Sequence, residues 1–367
     1  MAPLHLQQQC YHIIGIPFSQ TLLYCLGLSS FFVLSLYALV PSAVRRLPRD
    51  HVLHIKWRAV ATSVVMITGV GIYPLLFCER MDEGSFPPWY RYIGIGWQPL
   101  QDIQIALHVL MLYLGSLACT WVKIYHYGRV LHWEKKMNPN QRYCKSMHVS
   151  ELPTIPHVQC LFLAFKRTWI QPTIQSFKTL YGDEEHRWTK LRNLAIAPLA
   201  EEVIFRACLL PPLLASRTKN GNGNGKLTPT QASWIAPLFF GVAHIHHFYE
   251  QYRQVQPKQR TRKRIGQLLL GLAVQFTYTT LFGAYVSHVF LRTGSLSGVV
   301  LAHAICNYMG LPDISFAHQT STMHGYRYFV LIMYLLGIGL FAMGFNSVLF
   351  PEESVLPLLL QHKISAN

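Results

Sequence analysis

The chain has 367 residues, of which 51% are hydrophobic and only 13% are charged. Soluble domains carry about twice that share of charge, so a string of soluble domains is excluded and the surplus apolar surface must face lipid. The net charge of +16 does not indicate nucleic-acid binding, because the basic residues fall in short connectors between apolar runs and no basic-aromatic binding module is visible.

Apolar runs dominate the chain from end to end. A helix needs about 20 mostly apolar residues to cross a bilayer, and the runs predict an all-α, polytopic membrane protein with about eight transmembrane helices. They lie at roughly 20–43, 59–78, 103–125, 191–216, 231–249, 265–291, 295–312 and 326–350.

One further apolar segment, at roughly 157–181, carries Lys166 and Arg167 near its middle. Burying two adjacent cations in lipid is costly. We therefore expect this segment to be interfacial, re-entrant or broken.

The charges of the connectors predict part of the topology. Residues 45–58 and 123–145 are rich in Arg and Lys, whereas 79–102 is mixed and slightly acidic. The positive-inside rule places the first two in the cytosol and the third on the far side. The basic run at 260–264 also predicts a cytosolic position, but the moderately basic loop at 217–230 conflicts with it, and the topology of this part stays open.

The first chemically suggestive motif is PLAEEVIFR, in which Glu201 and Glu202 interrupt an apolar run. Ionisable residues in membrane helices mark functional sites by default. Neighbours on a helix point about 100° apart, so Glu202 can pair with Arg206 while Glu201 faces another surface without that partner. Such a carboxylate can act as a general base near neutral pH. The alternative is that all three are polar contacts between helices.

The second motif is FFGVAHIHH at 239–247. His244 follows Phe240 by one helical turn, so both side chains can line one pocket. Three histidines also suggest a metal site, but the chain contains no HExxH motif with ligands at i and i+4. We expect His246 and His247 to be interfacial, and we expect neither a metal nor another cofactor.

The third motif is SGVVLAHAICNYMG, in which His303 and Asn307 stand four residues apart on one helix face. Both can donate hydrogen bonds, and two donors in a dry cavity are what an oxyanion hole requires. Polar contacts between membrane helices would use the same residues.

Together the three motifs form a set for water attack on an amide bond. Glu201 and His244 could hold and deprotonate the water, and His303 and Asn307 could bind the oxygen of the tetrahedral intermediate. We therefore expect a catalytic cavity between the helices of the C-terminal half.

The ordered motifs EExxxR, FxxxH and HxxxN resemble those of the CPBP membrane-protease family, and within it the Ras-converting, type II CAAX endopeptidases. The matching residues fall within roughly 190–312 and are Glu201, Glu202, Arg206, Phe240, His244, His303 and Asn307. The resemblance implies an eight-helix enzyme of the endoplasmic reticulum, with its active site accessible from the cytosol. It also implies a metal-independent, glutamate-type hydrolase that removes the last three residues of prenylated proteins such as Ras-type GTPases.

By the same resemblance, Glu201 and His244 would activate water and His303 and Asn307 would form the oxyanion hole, while Glu202, Arg206 and Phe240 would support the site. The catalytic core would occupy 157–325 of one integrated membrane domain, preceded by helices and cytosolic loops at 1–156 and followed by a last helix and tail at 326–367. Expected partners are the prenylated substrates and membrane lipid. The oligomeric state is open, with a monomer as the default.

Three alternatives remain. A cysteine protease could use Cys208 or Cys306, although neither lies where a histidine would activate a thiolate. A zinc protease could act on the same substrate. From another functional class, a non-enzymatic receptor or scaffold for lipidated proteins would use the polar residues only for contacts.

Overall fold

The structure is a computed structural model, and part of the chain is described by it. The described residues are 10–81, 88–136, 156, 158–172, 174–175, 182–220, 223–243, 245–256, 260–318, 321 and 323–347. One predicted site residue, His244, lies outside them, as does the tail after residue 350.

Helices account for most of the described residues, as the sequence predicts. They are α1 (Phe18–Ala38), α2 (Ser42–Arg45), α3 (Val52–Phe77), α4 (Trp89–Tyr92), α5 (Pro99–Met111), α6 (Leu114–Lys136), α7 (Val158–Phe165), α8 (Glu184–Leu191), α9 (Ala197–Glu202), α10 (Leu210–Ala215), α11 (Pro229–Ala243), α12 (Ile245–Gln254), α13 (Arg262–Thr293), α14 (Leu296–Met309) and α15 (Arg327–Ser347). Single turns of 3₁₀ helix lie at Ser315–Ala317 and His324–Tyr326.

Three further segments are π-helical, at Lys166–Ile170, Arg192–Ile196 and Val203–Cys208. The first begins at the charged pair that predicted a break in the 157–181 segment. The other two flank α9, which carries both glutamates of the first motif. π-Helical turns are rare and are frequently found at functional sites.

Within the described residues, four helices are long and apolar enough to cross a membrane, namely Phe18–Ala38, Val52–Phe77, Arg262–Thr293 and His324–Phe345. A fifth span results if Pro99–Met111 and Leu114–Glu134, which are separated by a short break, count as one. The predicted class, an all-α polytopic membrane protein, is confirmed.

The remaining predicted spans differ in detail from the structure. The apolar run at 191–216 is helical but alternates between α and π turns, and the run at 295–312 contains a helix of only 14 residues. The run at 231–249 is divided between α11 and α12. These are the runs that carry the three motifs.

Two short antiparallel ladders accompany the helices. Strand β1 (Cys10–Ile13) pairs with β2 (Cys78–Met81), which directly follows α3. Strand β3 (Arg217–Asn220) pairs with β4 (Gly223–Lys226). Each strand has only four residues, too few for the alternation of polar and apolar residues that would reveal a strand in sequence.

The chain forms two compact units. One comprises the described residues up to 106 together with 188–307, and the other comprises 107–187 and 308–347. Every predicted site residue that the structure describes lies in the first unit. The predicted division into 1–156, 157–325 and 326–367 stays a prediction.

Aromatic side chains from three helical segments pack together in the first unit. The Phe205 ring lies edge-on to Phe32 of α1, at a centroid distance of 5.5 Å, and to Phe240 of α11, at 5.1 Å. Gly69 of α3 lies against Ile204, where a Cβ would come within 3.3 Å of the isoleucine side chain. The segment after the two glutamates is therefore packed on several sides.

A tight turn sets the start of α14, the helix that carries the third motif. Gly294 ends α13 with a φ of 63°, a left-handed conformation that glycine adopts without steric cost. Ser295 then caps α14 by accepting a hydrogen bond from the Gly298 N–H at 3.0 Å. The Asp102 carboxylate accepts hydrogen bonds from the hydroxyls of Ser295 and Ser297. A carboxylate at a helix N-terminus is stabilising, so this end of α14 is firmly held.

The second unit has its own core. Cys119 and Val122 of α6 pack with Met323 and Val330 of the C-terminal segment. On another part of α6, Ile124 and Leu131 pack with Cys160 and Ala164 of α7.

Candidate active site

The two glutamates of the first motif have very different surroundings. The Glu202 side chain is fully buried. Its Oε2 lies 3.1 Å from Arg206 Nε, and its Oε1 lies 2.7 Å from His303 Nδ1. The predicted pairing of Glu202 with Arg206 is confirmed. A carboxylate is stable in such a place only when it is paired and hydrogen-bonded, and here Glu202 has one partner on its own helical stretch and one on α14.

Glu201 is partly exposed, with 20% of its side chain accessible. Its Oε2 lies 3.7 Å from His303 Nε2, which is beyond hydrogen-bonding distance. The carboxylate also lines a pocket whose empty volume is about 670 Å³, including its open mouth. Glu201 therefore faces a cavity, whereas Glu202 faces the interior.

The His303 ring lies between the two glutamates. Nδ1 contacts Glu202 and Nε2 faces Glu201, while the Phe282 ring of α13 packs edge-on against the imidazole at a centroid distance of 5.2 Å. Only 7% of the residue is exposed. The carboxylate and the aromatic ring fix the orientation of the imidazole, so that Nε2 points toward the group that is accessible from the pocket.

Arg206 is held by packing as well as by charge. Its guanidinium carbon lies 4.8 Å from the centre of the Phe240 ring, a cation–π contact. Among the described residues, none of its three nitrogens has a hydrogen-bond partner, so the 3.1 Å approach of Nε to Glu202 Oε2 is an ion pair without hydrogen-bond geometry. Gly283 of α13 leaves room for this guanidinium, since a Cβ there would lie 3.2 Å from Nη2 and 2.8 Å from Pro237 Cβ.

Asn307 has a partner that follows from the irregular helix opposite it. In the π-helical segment Arg192–Ile196, the Ala197 N–H donates to the Arg192 carbonyl. The next residue, Pro198, has no N–H. The Asn193 carbonyl therefore has no backbone donor, since its α-helical partner would be the Ala197 N–H and its π-helical partner would be residue 198. Instead, Asn307 Nδ2 donates to it at 2.9 Å. Asn307 and His303 thus attach α14 to two points of the same stretch.

The structure brings together Glu201, Glu202, Arg206, Phe240 and His303, while Asn307 lies one helical turn beyond His303 and contacts Asn193. His244 and the side chains of His246 and His247 lie outside the described part of the chain. In that part, no group of three His, Cys, Asp or Glu side chains could hold a metal ion. Cys208 is fully buried.

Three contributors escaped the sequence reasoning, and two of them left a trace in sequence. Pro198 inside an apolar helical run signals a carbonyl in need of a donor, which proves to be that of Asn193. Gly283 in a long apolar helix signals close packing. Phe282 could not have been distinguished from the other aromatic residues of α13.

The chain was compared with known proteins. Residues 184–309 match the family model described as Type II CAAX prenyl endopeptidase Rce1-like. CAAX prenyl protease 2 of Homo sapiens is 45% identical over 166 residues, which cover 45% of this chain and 44% of that protein. The protein of the same name from Arabidopsis thaliana is 40% identical over 121 residues, covering 33% of this chain and 34% of its own length.

The probable CAAX prenyl protease 2 of Schizosaccharomyces pombe is 42% identical over 123 residues, which cover 34% of this chain and 40% of that protein. The chain thus spans less than half the length of these curated relatives. No solved structure matches it. The seven motif residues all lie inside the matched segment 184–309, and the resemblance to the Rce1-type CAAX proteases is confirmed.

Proposed function

Because residues 184–309 match the Rce1-like family, we propose that the chain is a membrane endopeptidase that removes the last three residues of prenylated CAAX proteins. The reaction is hydrolysis of the peptide bond that follows the prenylated cysteine. The products are a protein ending in the prenylated cysteine and a free tripeptide.

The contrast between Glu201 and Glu202 carries this proposal. Glu202 is buried and engaged with Arg206 and His303, so it is suited to orient other groups. Glu201 is exposed to the pocket and faces His303 Nε2 across 3.7 Å. A reacting group in the pocket can reach Glu201, whose carboxylate lies beside Nε2 of the imidazole.

In the proposed reaction, Glu201 acts first as a base and then as an acid. Its carboxylate, assisted by His244, takes a proton from water as the water oxygen attacks the carbonyl carbon of the scissile bond. The tetrahedral intermediate carries the negative charge on the former carbonyl oxygen. When it collapses, the C–N bond breaks and Glu201 returns the proton to the leaving amine. Protons and charge balance without a covalent enzyme intermediate.

We assign stabilisation of the oxyanion to His303 and Asn307. Because Nδ1 of His303 is engaged by Glu202, Nε2 is the ring nitrogen that would contact the oxyanion. The amide of Asn307 has two N–H donors, and one of them is used by the Asn193 carbonyl, which leaves the other for the substrate. Glu202, Arg206 and Phe240 are positioning residues that act through His303.

The chain is a multi-pass membrane protein, and a prenylated tail partitions into the bilayer. We propose that it resides in the endoplasmic reticulum, that it takes Ras-type GTPases among its substrates and that the active site opens to the cytosol. One observation supports the last point: Arg49, which lies in the basic connector predicted to be cytosolic, lines the same pocket as Glu201.

The test uses the purified full chain in lipid with a farnesylated CAAX peptide, and mass spectrometry detects the released tripeptide. Wild type is compared with Glu201→Gln, which keeps the size of the side chain and removes the base. Glu185→Gln is the matched control, because Glu185 lies in the same helical stretch with its side chain exposed to solvent.

We expect tripeptide release by wild type and by the control, and a loss of at least 100-fold in Glu201→Gln. Equal activity in Glu201→Gln would refute its role as the base. Peptide binding without any release by wild type would favour the receptor or scaffold alternative. Each reaction is repeated after extended dialysis against a chelator, and a loss of activity that zinc restores would favour the zinc protease.

A further inference from the structure

Three arginines line the pocket that Glu201 faces. Arg49 follows α2, Arg58 lies in the second turn of α3, and Arg192 begins the π-helical segment ahead of α9. Arg49 and Arg58 are close in sequence, whereas Arg192 lies 143 positions after Arg49. The fold therefore gathers positive charge beside the candidate catalytic base.

Two of these arginines are shielded from water and already have one carboxylate each. The Arg58 side chain is 12% exposed and its Nη2 lies 3.5 Å from Glu250 Oε1. The Arg192 side chain is 18% exposed and its Nη1 lies 2.8 Å from Asp50 Oδ1. A guanidinium has five N–H donors. Glu250 contacts one end of the Arg58 guanidinium. Arg192 also donates through Nε to Asn193 Oδ1 and through Nη1 to a backbone carbonyl, which leaves its Nη2 group for a further ligand.

Arg49 differs from the other two. Its backbone carbonyl accepts a hydrogen bond from Arg192 Nη1 at 3.3 Å, but within the described part of the chain its guanidinium has no acidic partner. The residue is exposed and lines the pocket. The cluster can thus accept one more anion without displacing an existing ion pair.

Apart from Glu201 and Thr62, the rest of the pocket lining is apolar. Its lining includes Phe32, Leu36, Ile55, Ile196 and Phe205, which suit aliphatic side chains. A ligand that fits the whole pocket combines a short apolar segment with one negative charge.

We propose that this pocket binds the C-terminal tripeptide of the substrate, with the terminal carboxylate on the Arg49, Arg58 and Arg192 cluster. The inference rests on the proposed function. An enzyme that cuts three residues from the end of a chain always has the terminal carboxylate within about 10 Å of the scissile bond, since an extended chain covers about 3.3–3.6 Å per residue. Arginine is the residue best suited to carboxylates, because its planar fork donates two parallel hydrogen bonds.

With this arrangement the enzyme would select the cleaved bond by its distance from the C-terminus of the substrate. The base at Glu201 and the arginine cluster, which line the same pocket, would select the bond three residues from the C-terminus, and not bonds further along the chain. A peptide whose terminal carboxylate is neutralised would lose that anchor while it keeps its prenyl group and its side chains.

The test compares two farnesylated CAAX peptides that differ only at the C-terminus, one with a free carboxylate and one with a carboxamide. The kcat/KM for release of the last three residues is measured for the full chain in phosphatidylcholine vesicles. Wild type is compared with Arg49→Gln and Arg192→Gln. Arg46→Gln is the matched control, because Arg46 is an exposed arginine three residues from Arg49 and does not line the pocket.

We expect wild type and Arg46→Gln to cleave the free acid about 10- to 100-fold better than the amide, the range for charge-assisted hydrogen bonds. Arg49→Gln and Arg192→Gln should lose most of this preference, mainly through a higher KM for the acid. Residual cleavage of the amide shows that a variant is folded. Equal cleavage of both peptides by wild type, or an unchanged preference in both variants, would overturn the inference.

Two other outcomes would also overturn it. Failure of wild type to release the tripeptide from either peptide would remove the proposed function as well. If added phosphatidylglycerol raises the activity toward both peptides alike, and the two variants abolish that effect while keeping the acid preference, the cluster binds a lipid headgroup and not the substrate carboxylate.

Discussion

Replacement of Arg206 by methionine removes the cation beside Glu202 while it keeps an apolar side chain of similar length. Both side chains of the wild-type pair are buried, with 1% and 0% exposed, and Nε and Oε2 are 3.1 Å apart. With an effective dielectric constant of about 20, the Coulomb attraction at that distance is about 5 kcal/mol. Because desolvation of both ions offsets most of it, the net contribution of the pair to stability is close to zero.

The single substitution has a different consequence from removal of the whole pair. Arg206→Met leaves the Glu202 carboxylate buried with only His303 as a partner, and we expect the free energy of unfolding to fall by about 3–5 kcal/mol. The double variant Glu202→Gln/Arg206→Met removes both charges and keeps an oxygen that can accept the hydrogen bond from His303. It should recover most of the loss.

The measurement is chemical unfolding in detergent micelles, followed by tryptophan fluorescence. Lys123→Met is the control, because it breaks an ion pair in which the lysine is 54% exposed, and such pairs contribute about 0–1 kcal/mol. The reasoning is refuted if Arg206→Met is as stable as wild type, or if the double variant is less stable than the single one.

Three further predictions concern single residues. Gly283→Ala should cost about 1–3 kcal/mol of stability because its Cβ would lie 2.8 Å from a neighbouring side-chain carbon. The control Gly271→Ala, whose Cβ would have nothing within 4 Å, should gain about 0.5–1 kcal/mol. Equal effects of the two substitutions in the same unfolding assay would contradict this prediction. Asn307→Ala should cost about 1 kcal/mol and lower kcat by about 10²–10³, and an unchanged kcat in the peptide assay would restrict its role to helix support. The hydrogen bond from Lys123 lowers the pKa of Asp313 from 3.8 to about 2. The contribution of this carboxylate to the stability of the fold is therefore present above pH 3.8 and is lost as pH falls through about 2. Asp313→Asn should therefore flatten the stability profile between about pH 4 and 2, and an unchanged slope would contradict the assignment.

The sequence was most informative where one physical rule determined the outcome. The length and apolarity of the runs predicted an all-α membrane protein. Helical periodicity predicted that Glu202, and not Glu201, would pair with Arg206, and the structure has this pair. Both inferences depend on distances along one helix or on composition, which a sequence displays directly.

The position of His303 between the two glutamates could not be predicted from the sequence by such rules. Spacing along a helix fixes which residues share its face, but not which other helix that face meets. His303 is separated from Glu202 by 101 positions, and the start of its helix is set by the turn at Gly294, the cap at Ser295 and the hydrogen bonds to Asp102. The sequence therefore predicted that His303 belongs to the site, whereas its place between the two carboxylates required the tertiary structure.

Asn307 illustrates how an irregular backbone and a site become linked. Pro198 lies three residues before Glu201, and the π-helical turns ahead of it leave the Asn193 carbonyl to be satisfied from α14. The same helix then presents His303 to Glu201 and Glu202 one turn earlier. In a regular α-helix at 192–196 the Ala197 N–H would pair with the Asn193 carbonyl, which would then offer α14 no acceptor. The distortion thus gives α14 a second attachment next to the glutamates, which fixes the distance between His303 Nε2 and the exposed carboxylate on which the proposed chemistry depends.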